Sequence, residues 1–218
     1  MKTTSLRSAL AICLPIFLVL ISCEKEGEGT ASNVPATVVT VNDLPADTIV
    51  GIGANGQPFG AGRFTFFSLE RNETVPSTDS NSLRWDLGFR GTTLITNSGN
   101  SGPGKGGAFV YVGLFDDLKA VPADSVFRVD NAPSNLAIPN GSGRAWYVYN
   151  PQANLVTAIP GRVLMLRTAS GRFAKVEILN YYRGGVTPSI QAPDDEKIRK
   201  QRFYRFRFAY QPNGGMSF

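Results

Sequence analysis

The side chains that most often carry chemistry are scarce in this chain. Among 218 residues there is no histidine, and Cys13 and Cys23 are the only two cysteines. Without imidazole, a Ser-His-Asp or Cys-His centre, a zinc site built on His and a His-ligated haem are all excluded. Carboxylates remain, and a glycosidase needs only two of them. The candidates are Asp86, Asp116, Asp117, Asp194, Asp195 and Glu196. Asp116 and Asp117 are adjacent, so on a strand they would point to opposite faces. No spacing brings a specific pair together, and these acids read as solvated. The chain reads as a non-enzyme.

Two glycine-rich stretches imitate nucleotide loops. Gly51-Ile52-Gly53-Ala54-Asn55-Gly56 matches the dinucleotide fingerprint, but Gln57-Pro58-Phe59-Gly60 follows, where the chemistry needs a helix N-terminus facing the pyrophosphate. Gly99 to Lys105 copies the start of a phosphate-binding loop. Gly106 then stands where a magnesium-binding Ser or Thr belongs, and the strand-like Ala108-Phe109-Val110 follows. No nucleotide and no zinc are expected. From Lys197 to Tyr210, basic residues interleave with aromatics, a pattern that can bind single-stranded nucleic acid. As a strand, however, Tyr204, Phe206, Phe208 and Tyr210 share one face, with Arg205 and Arg207 on the other. An aromatic core face with Arg turned to water explains the pattern more simply, so nucleic acid is not an expected partner.

The elements that position these residues begin after a leader. Lys2 and Arg7 precede an apolar run from Ala9 to Ile21, which ends in Leu20-Ile21-Ser22-Cys23. A basic start, a short apolar stretch and a small residue before the cut describe a signal peptide over 1–22. Leu, a free position, a small residue and Cys fit the lipobox of bacterial lipoproteins, which makes Cys23 the lipidated first residue of the mature chain. An ordinary signal peptide that happens to contain Cys is the alternative. Residues 23–33, with Glu24-Lys25-Glu26-Gly27-Glu28-Gly29, form a charged flexible tether. This cluster resembles the surface-export signal of Bacteroidetes lipoproteins, and a plain solvated linker is the other reading. The membrane is met through the lipid anchor only.

Residues 34–218 read as one all-β domain. Composition is globular, with 42% hydrophobic and 18% charged residues and a net charge of +5. Gly 23 and Pro 14 favour short strands and turns over a helical bundle. Arg162 to Arg167 reads as a mostly buried strand, Thr168-Ala169-Ser170-Gly171 as a turn, and Phe173 to Leu179 as an alternating strand. Ala174, Val176 and Ile178 share one face of it, with Lys175 and Glu177 on the other. The pair predicts an antiparallel hairpin. Phe64–Leu69, Ala108–Val112 and Trp146–Tyr149 are further strand candidates. Asp194 to Lys200 is the one helical piece, preceded by Pro193 and opening with acids. The fold class is antiparallel sheets and hairpins with at most one or two short helices.

Several segments then occur together and in order: Leu83-Arg84-Trp85-Asp86-Leu87, Gly104-Lys105-Gly106-Gly107-Ala108, Arg162 to Val176, and a final aromatic strand ending near Tyr210. Behind a lipobox, this order resembles the HmuY-like family of Bacteroidetes outer-membrane lipoproteins, over roughly Phe64 to Tyr210. The resemblance implies an all-β haem-binding lipoprotein on the cell exterior. Such a protein takes haem from host carriers and hands it to a TonB-dependent receptor. In the family's best-known member two His side chains ligate the iron. One precedes the strand that matches Arg162-Val163, and counting back places Asn150 there. The other belongs to a longer insertion with no clear counterpart between Val129 and Arg144. Neither His is present.

Haem or a related porphyrin stays chemically open, because Met thioether and Tyr phenolate also serve as axial ligands. Met165 and Met216 remain in the mature chain, and Tyr147, Tyr149, Tyr181 and Tyr182 lie near the matching region. Met165, Tyr149 and Asn150 are the candidate site residues, with Met165 favoured for iron. Against them stand a core role for Met165 and a turn at Asn150-Pro151. The alternative function is a surface scaffold or adhesin domain of the same fold that has lost haem binding.

Overall fold

The computed structural model describes residues 35–218. Cys23, the apolar run before it and the tether lie outside the described residues. Described residues fall in one compact unit. In chain order the strands are β1 (Val38–Pro45), β2 (Gly51–Ile52), β3 (Pro58–Phe59), β4 (Thr65–Ser68), β5 (Glu73–Val75), β6 (Leu87–Arg90) and β7 (Thr93–Thr96). β8 (Gly107–Val112), β9 (Tyr147–Asn150), β10 (Leu155–Ala158), β11 (Arg162–Arg167), β12 (Phe173–Tyr182) and β13 (Gln201–Gln211) complete them. The single α-helix among the described residues, α1, spans Asp194–Lys200, the stretch that its acidic first turn and preceding proline predict.

Every ladder is antiparallel. A five-stranded sheet runs β1-β13-β12-β11-β8, and a four-stranded sheet runs β5-β4-β6-β7. Two hairpins, β9–β10 and β2–β3, stand beside them. The expected β11–β12 hairpin forms, with Leu164 opposite Val176 and Leu166 opposite Ala174. The fold is all-β.

The main core lies between the two sheets. Phe67, Leu87, Phe89 and Leu94 meet Leu164, Leu166, Val176, Tyr204, Phe206 and Phe208. The aromatic face of β13 is therefore core, each large side chain contributing about 1.5–3 kcal/mol by burial. Its opposite face departs from the solvated Arg face expected. Arg205 is exposed, but Arg207 is half-buried, bonded to Glu177 at 2.7 Å and paired with Asp116 at 3.2 Å. A second cluster covers that side of the sheet, where Phe115, Leu118 and Val121 pack on Val163, Met165 and Ala209. A third, with Phe66, Trp85, Ile95 and Leu136, covers the outer face of the four-stranded sheet.

The reading of the acids as solvated is corrected at Asp86. Its carboxylate accepts from Leu69 N–H at 2.8 Å and Ala169 N–H at 2.9 Å, so it clips the end of β4 to the β11–β12 turn. Burial pushes its carboxyl above the usual range, and the two backbone donors offset part of that rise. Asp116 and Asp117 lie in a turn, not on a strand.

The glycine loops have structural explanations. Gly51 to Phe59 closes the β2–β3 hairpin, and no helix follows it. The Gly99–Lys105 loop wraps Asn97, whose amide nitrogen donates to Ser82 and Trp85 carbonyls at 2.8 Å each, while its oxygen accepts from Gly104 N–H at 2.8 Å. A Cβ on Gly99 would overlap the Asp130 carbonyl, and one on Gly106 would meet Asn97 backbone at 2.5 Å.

Candidate ligand-binding groove

Hairpin β9–β10 leans on the end of the main core. Trp146 anchors it, donating from its indole to Thr92 O at 3.2 Å, with its ring 5.1 Å from Tyr204 and 5.7 Å from Tyr181. Tyr204 in turn donates to Gly91 O at 2.8 Å, and Tyr182 OH accepts from Val156 N–H at 2.9 Å. These bonds satisfy the polar tips of aromatics that are otherwise buried, as such side chains require.

Beside this aromatic wall opens a groove of about 900 Å³. It falls within the range of about 300–1,000 Å³ typical of small-molecule and cofactor sites. Tyr147, Tyr149 and Tyr181 line one side; Gly56 to Pro58 of the β2–β3 turn and Ile198 of α1 line others. Tyr149 is the exposed one, at 42%, and its hydroxyl donates to Asn154 Oδ1 at 3.2 Å. Tyr181 is nearly buried, and desolvation pushes its phenol far up, so it stays protonated at neutral pH.

Arg202 brings a cation to the groove in an unusual backbone state. It sits at φ 68°, in the left-handed region that costs a non-glycine residue about 1–2 kcal/mol. Its guanidinium donates to Asp47 O at 2.9 Å and lies 3.6 Å from the Asp47 carboxylate. Strained residues concentrate at functional sites.

Of the three candidates named from sequence, the structure brings two to this hairpin and only one into the groove. Tyr149 lines it. Asn150 is engaged in the hairpin turn, its Oδ1 accepting from Gln152 N–H at 3.0 Å and Ala153 N–H at 3.2 Å. Met165 lies elsewhere, fully buried under Phe115 in the second cluster, on the strand face opposite Leu164 and Leu166. Sequence reasoning missed Arg202 and the β2–β3 turn as groove walls. Both reach the site only through long-range contacts that no local pattern encodes.

The segment between Val129 and Arg144 meets β9 at the groove's rim. Ser142 Oγ accepts from Tyr149 N–H at 2.9 Å, and both residues line the cavity. Comparison with known families decides the relationship: the family model described as HmuY protein matches residues 62–191. The chain belongs to the HmuY family. Members of that family are binding proteins, not enzymes. None of the curated proteins matches the chain in sequence.

Three solved structures are similar to the chain. One, named a HmuY-like heme-binding protein of Bacteroides vulgatus, is 14% identical, with a TM-score of 0.50 over 78% of this chain and 90% of that one. At that identity the likeness shows the fold. A lipoprotein of Bacteroides fragilis gives 13% identity and a TM-score of 0.49, over 80% of this chain and 92% of its own. The apo HmuY analogue of Tannerella forsythia gives 13% and 0.45, over 81% and 96%. No helix among the described residues is long and apolar enough to cross a membrane. None of their His, Cys, Asp or Glu side chains gather in a group of three or more able to hold a metal ion.

Proposed function

We propose that this HmuY-family protein binds haem or a related porphyrin in the tyrosine-lined groove, as a non-catalytic surface lipoprotein serving uptake. The observation that carries the reading is the meeting of Ser142 with Tyr149. There the loop before β9 meets the end of β9, which the resemblance aligns with one of the family's iron ligands, and both line a cavity of cofactor size. Tyr149 offers exposed aromatic surface to a porphyrin, and Arg202 offers positive charge to propionates. Tyr149 is the ligand of choice, since a phenolate can hold ferric iron and its ring reaches solvent. The rest of the proposal follows the sequence. Residues 1–22 are removed, Cys23 is lipidated, and the domain is held at the outer face of the outer membrane, where host haem carriers and a TonB-dependent receptor are its partners.

Haemin titrated into the chain from residue 23 onward, followed at the Soret band, tests this. A ferric complex is expected that Tyr149→Phe weakens about tenfold or more and that weakens on reduction. Unchanged spectra at micromolar haemin in both redox states would favour the scaffold reading.

A further inference from the structure

The five-stranded sheet ends at β8, and most of that edge is open. Ala108 turns its backbone groups outward and exchanges both with Arg128, at 2.9 and 3.0 Å. Alternation along the strand sends the N–H and C=O of Val110 and Val112 the same way. No backbone group among the described residues pairs with them on that side. A bare strand edge of this kind is a template for another chain.

The edge opens onto a groove of about 650 Å³, walled by Pro122 to Arg128 on one side and by Pro139 and Arg144 on another. Its apolar content is solvent-facing, with Val112 at 68% and Val126 at 76% exposure. In its wall Ser125 Oγ is buried and has no hydrogen-bond partner among the described residues. Arg128 and Arg144 form no ion pair with any described carboxylate, and Lys105 and Arg167, lining the adjoining cavity, form none either. Asp124 is the one acid among the described residues lining the groove.

We infer that β8 is a docking edge for an extended, acidic polypeptide segment of a partner protein, which adds as the next strand. Backbone bonds to Val110 and Val112 supply affinity, and carboxylates facing Arg128 and Arg144 supply selection. A second copy of this chain fits poorly, because the strand it would add, Gly107–Val112, carries no carboxylate to face Arg128 and Arg144. A phosphate-bearing polymer would satisfy the cations yet leave the strand edge and the exposed valines unused.

The test uses the full chain in detergent micelles and a fluorescent eight-residue peptide of alternating glutamate and valine. Binding is expected, with hydrogen exchange at the Val110 and Val112 amides slowed about tenfold or more. The lysine–valine counterpart should not bind. Arg144→Gln paired with Arg128→Gln should weaken binding about tenfold and reduce its salt dependence. Val110→Pro removes one outward N–H while leaving the β11 side of the ladder intact, and should weaken it similarly. Exchange in the unsubstituted chain keeps the test independent of whether that variant folds. Absence of binding, binding without protection of these two amides, or equal displacement by heparin with the amides unprotected would each overturn the inference.

Discussion

The Nζ of Lys175 lies 4.4 Å from the centre of the Phe115 ring and donates to the carbonyl of that same residue at 2.8 Å. It donates equally to Leu118 O at 2.8 Å, and the Arg207 guanidinium lies 4.3 Å from the same ring. One side chain near the start of β12 thus fastens the segment that covers the second face of the sheet.

Lys175→Met should strand both carbonyls and lower folding stability by about 1–3 kcal/mol in urea titrations. Protease sensitivity should rise between Gly113 and Val121. Burial holds the Lys175 ammonium below the usual lysine range. The unfolded chain therefore binds that proton more tightly, and stability rises with pH between the lowered value and the ordinary value near ~10.4. The wild type should gain on Lys175→Met across that window; a gap that shrinks there refutes the assignment.

Asp86 gives the opposite test. Its carboxyl titrates above the usual range, so the folded state takes up the proton first as pH falls. Its contribution is complete below the unfolded value near ~3.9 and is lost as pH rises through the folded value. Asp86→Asn turns an amide N–H toward Leu69 or Ala169 and should cost about 1–3 kcal/mol at pH 7. The gap to wild type should widen on acidification to about pH 4, which paired urea titrations at the two pH values measure.

Gly99→Ala should be among the most damaging small substitutions. Gly99 sits at φ 55° and its Cβ would overlap the Asp130 carbonyl, beside a carboxylate that accepts from Thr96 and Ala137 N–H at 2.8 and 2.7 Å. A loss of about 2 kcal/mol or more is expected in thermal or urea unfolding. A neutral result would mean that the loop shifts freely.

Met165→Leu separates packing from coordination. As a volume-conserving change at a fully buried site it should cost less than about 1.5 kcal/mol. Haemin affinity should be unaltered in ferric and ferrous states. A loss confined to the ferrous complex would move the iron ligand from Tyr149 to Met165.

Local pattern carried a good part of this fold. Alternation at Phe173 to Ile178, the aromatic face of Tyr204 to Phe208 and the acidic start of α1 are signals contained within one element. The covering of a polar strand face is not. Lys175 and Glu177 alternate with apolar neighbours as on any half-wet strand, and only the distant Phe115–Val121 segment makes Lys175 an interior residue. The groove follows the same division. Tyr149 could be named from its place near the matching strand, whereas Arg202 looked like one more cation in a basic run. Its role depends on contacts with Asp47, far away in sequence.

The order of the large sheet also fixes how the domain is presented. The described chain enters through β1 at one margin, and β8 is the opposite margin, four strand spacings or about 19 Å away. The first described strand and the proposed docking edge therefore occupy opposite banks of a single slab. Residue 35, where the described chain begins, leads into a strand that lies beside β13 rather than β8. A strand added at the far bank would then extend the sheet without meeting β1.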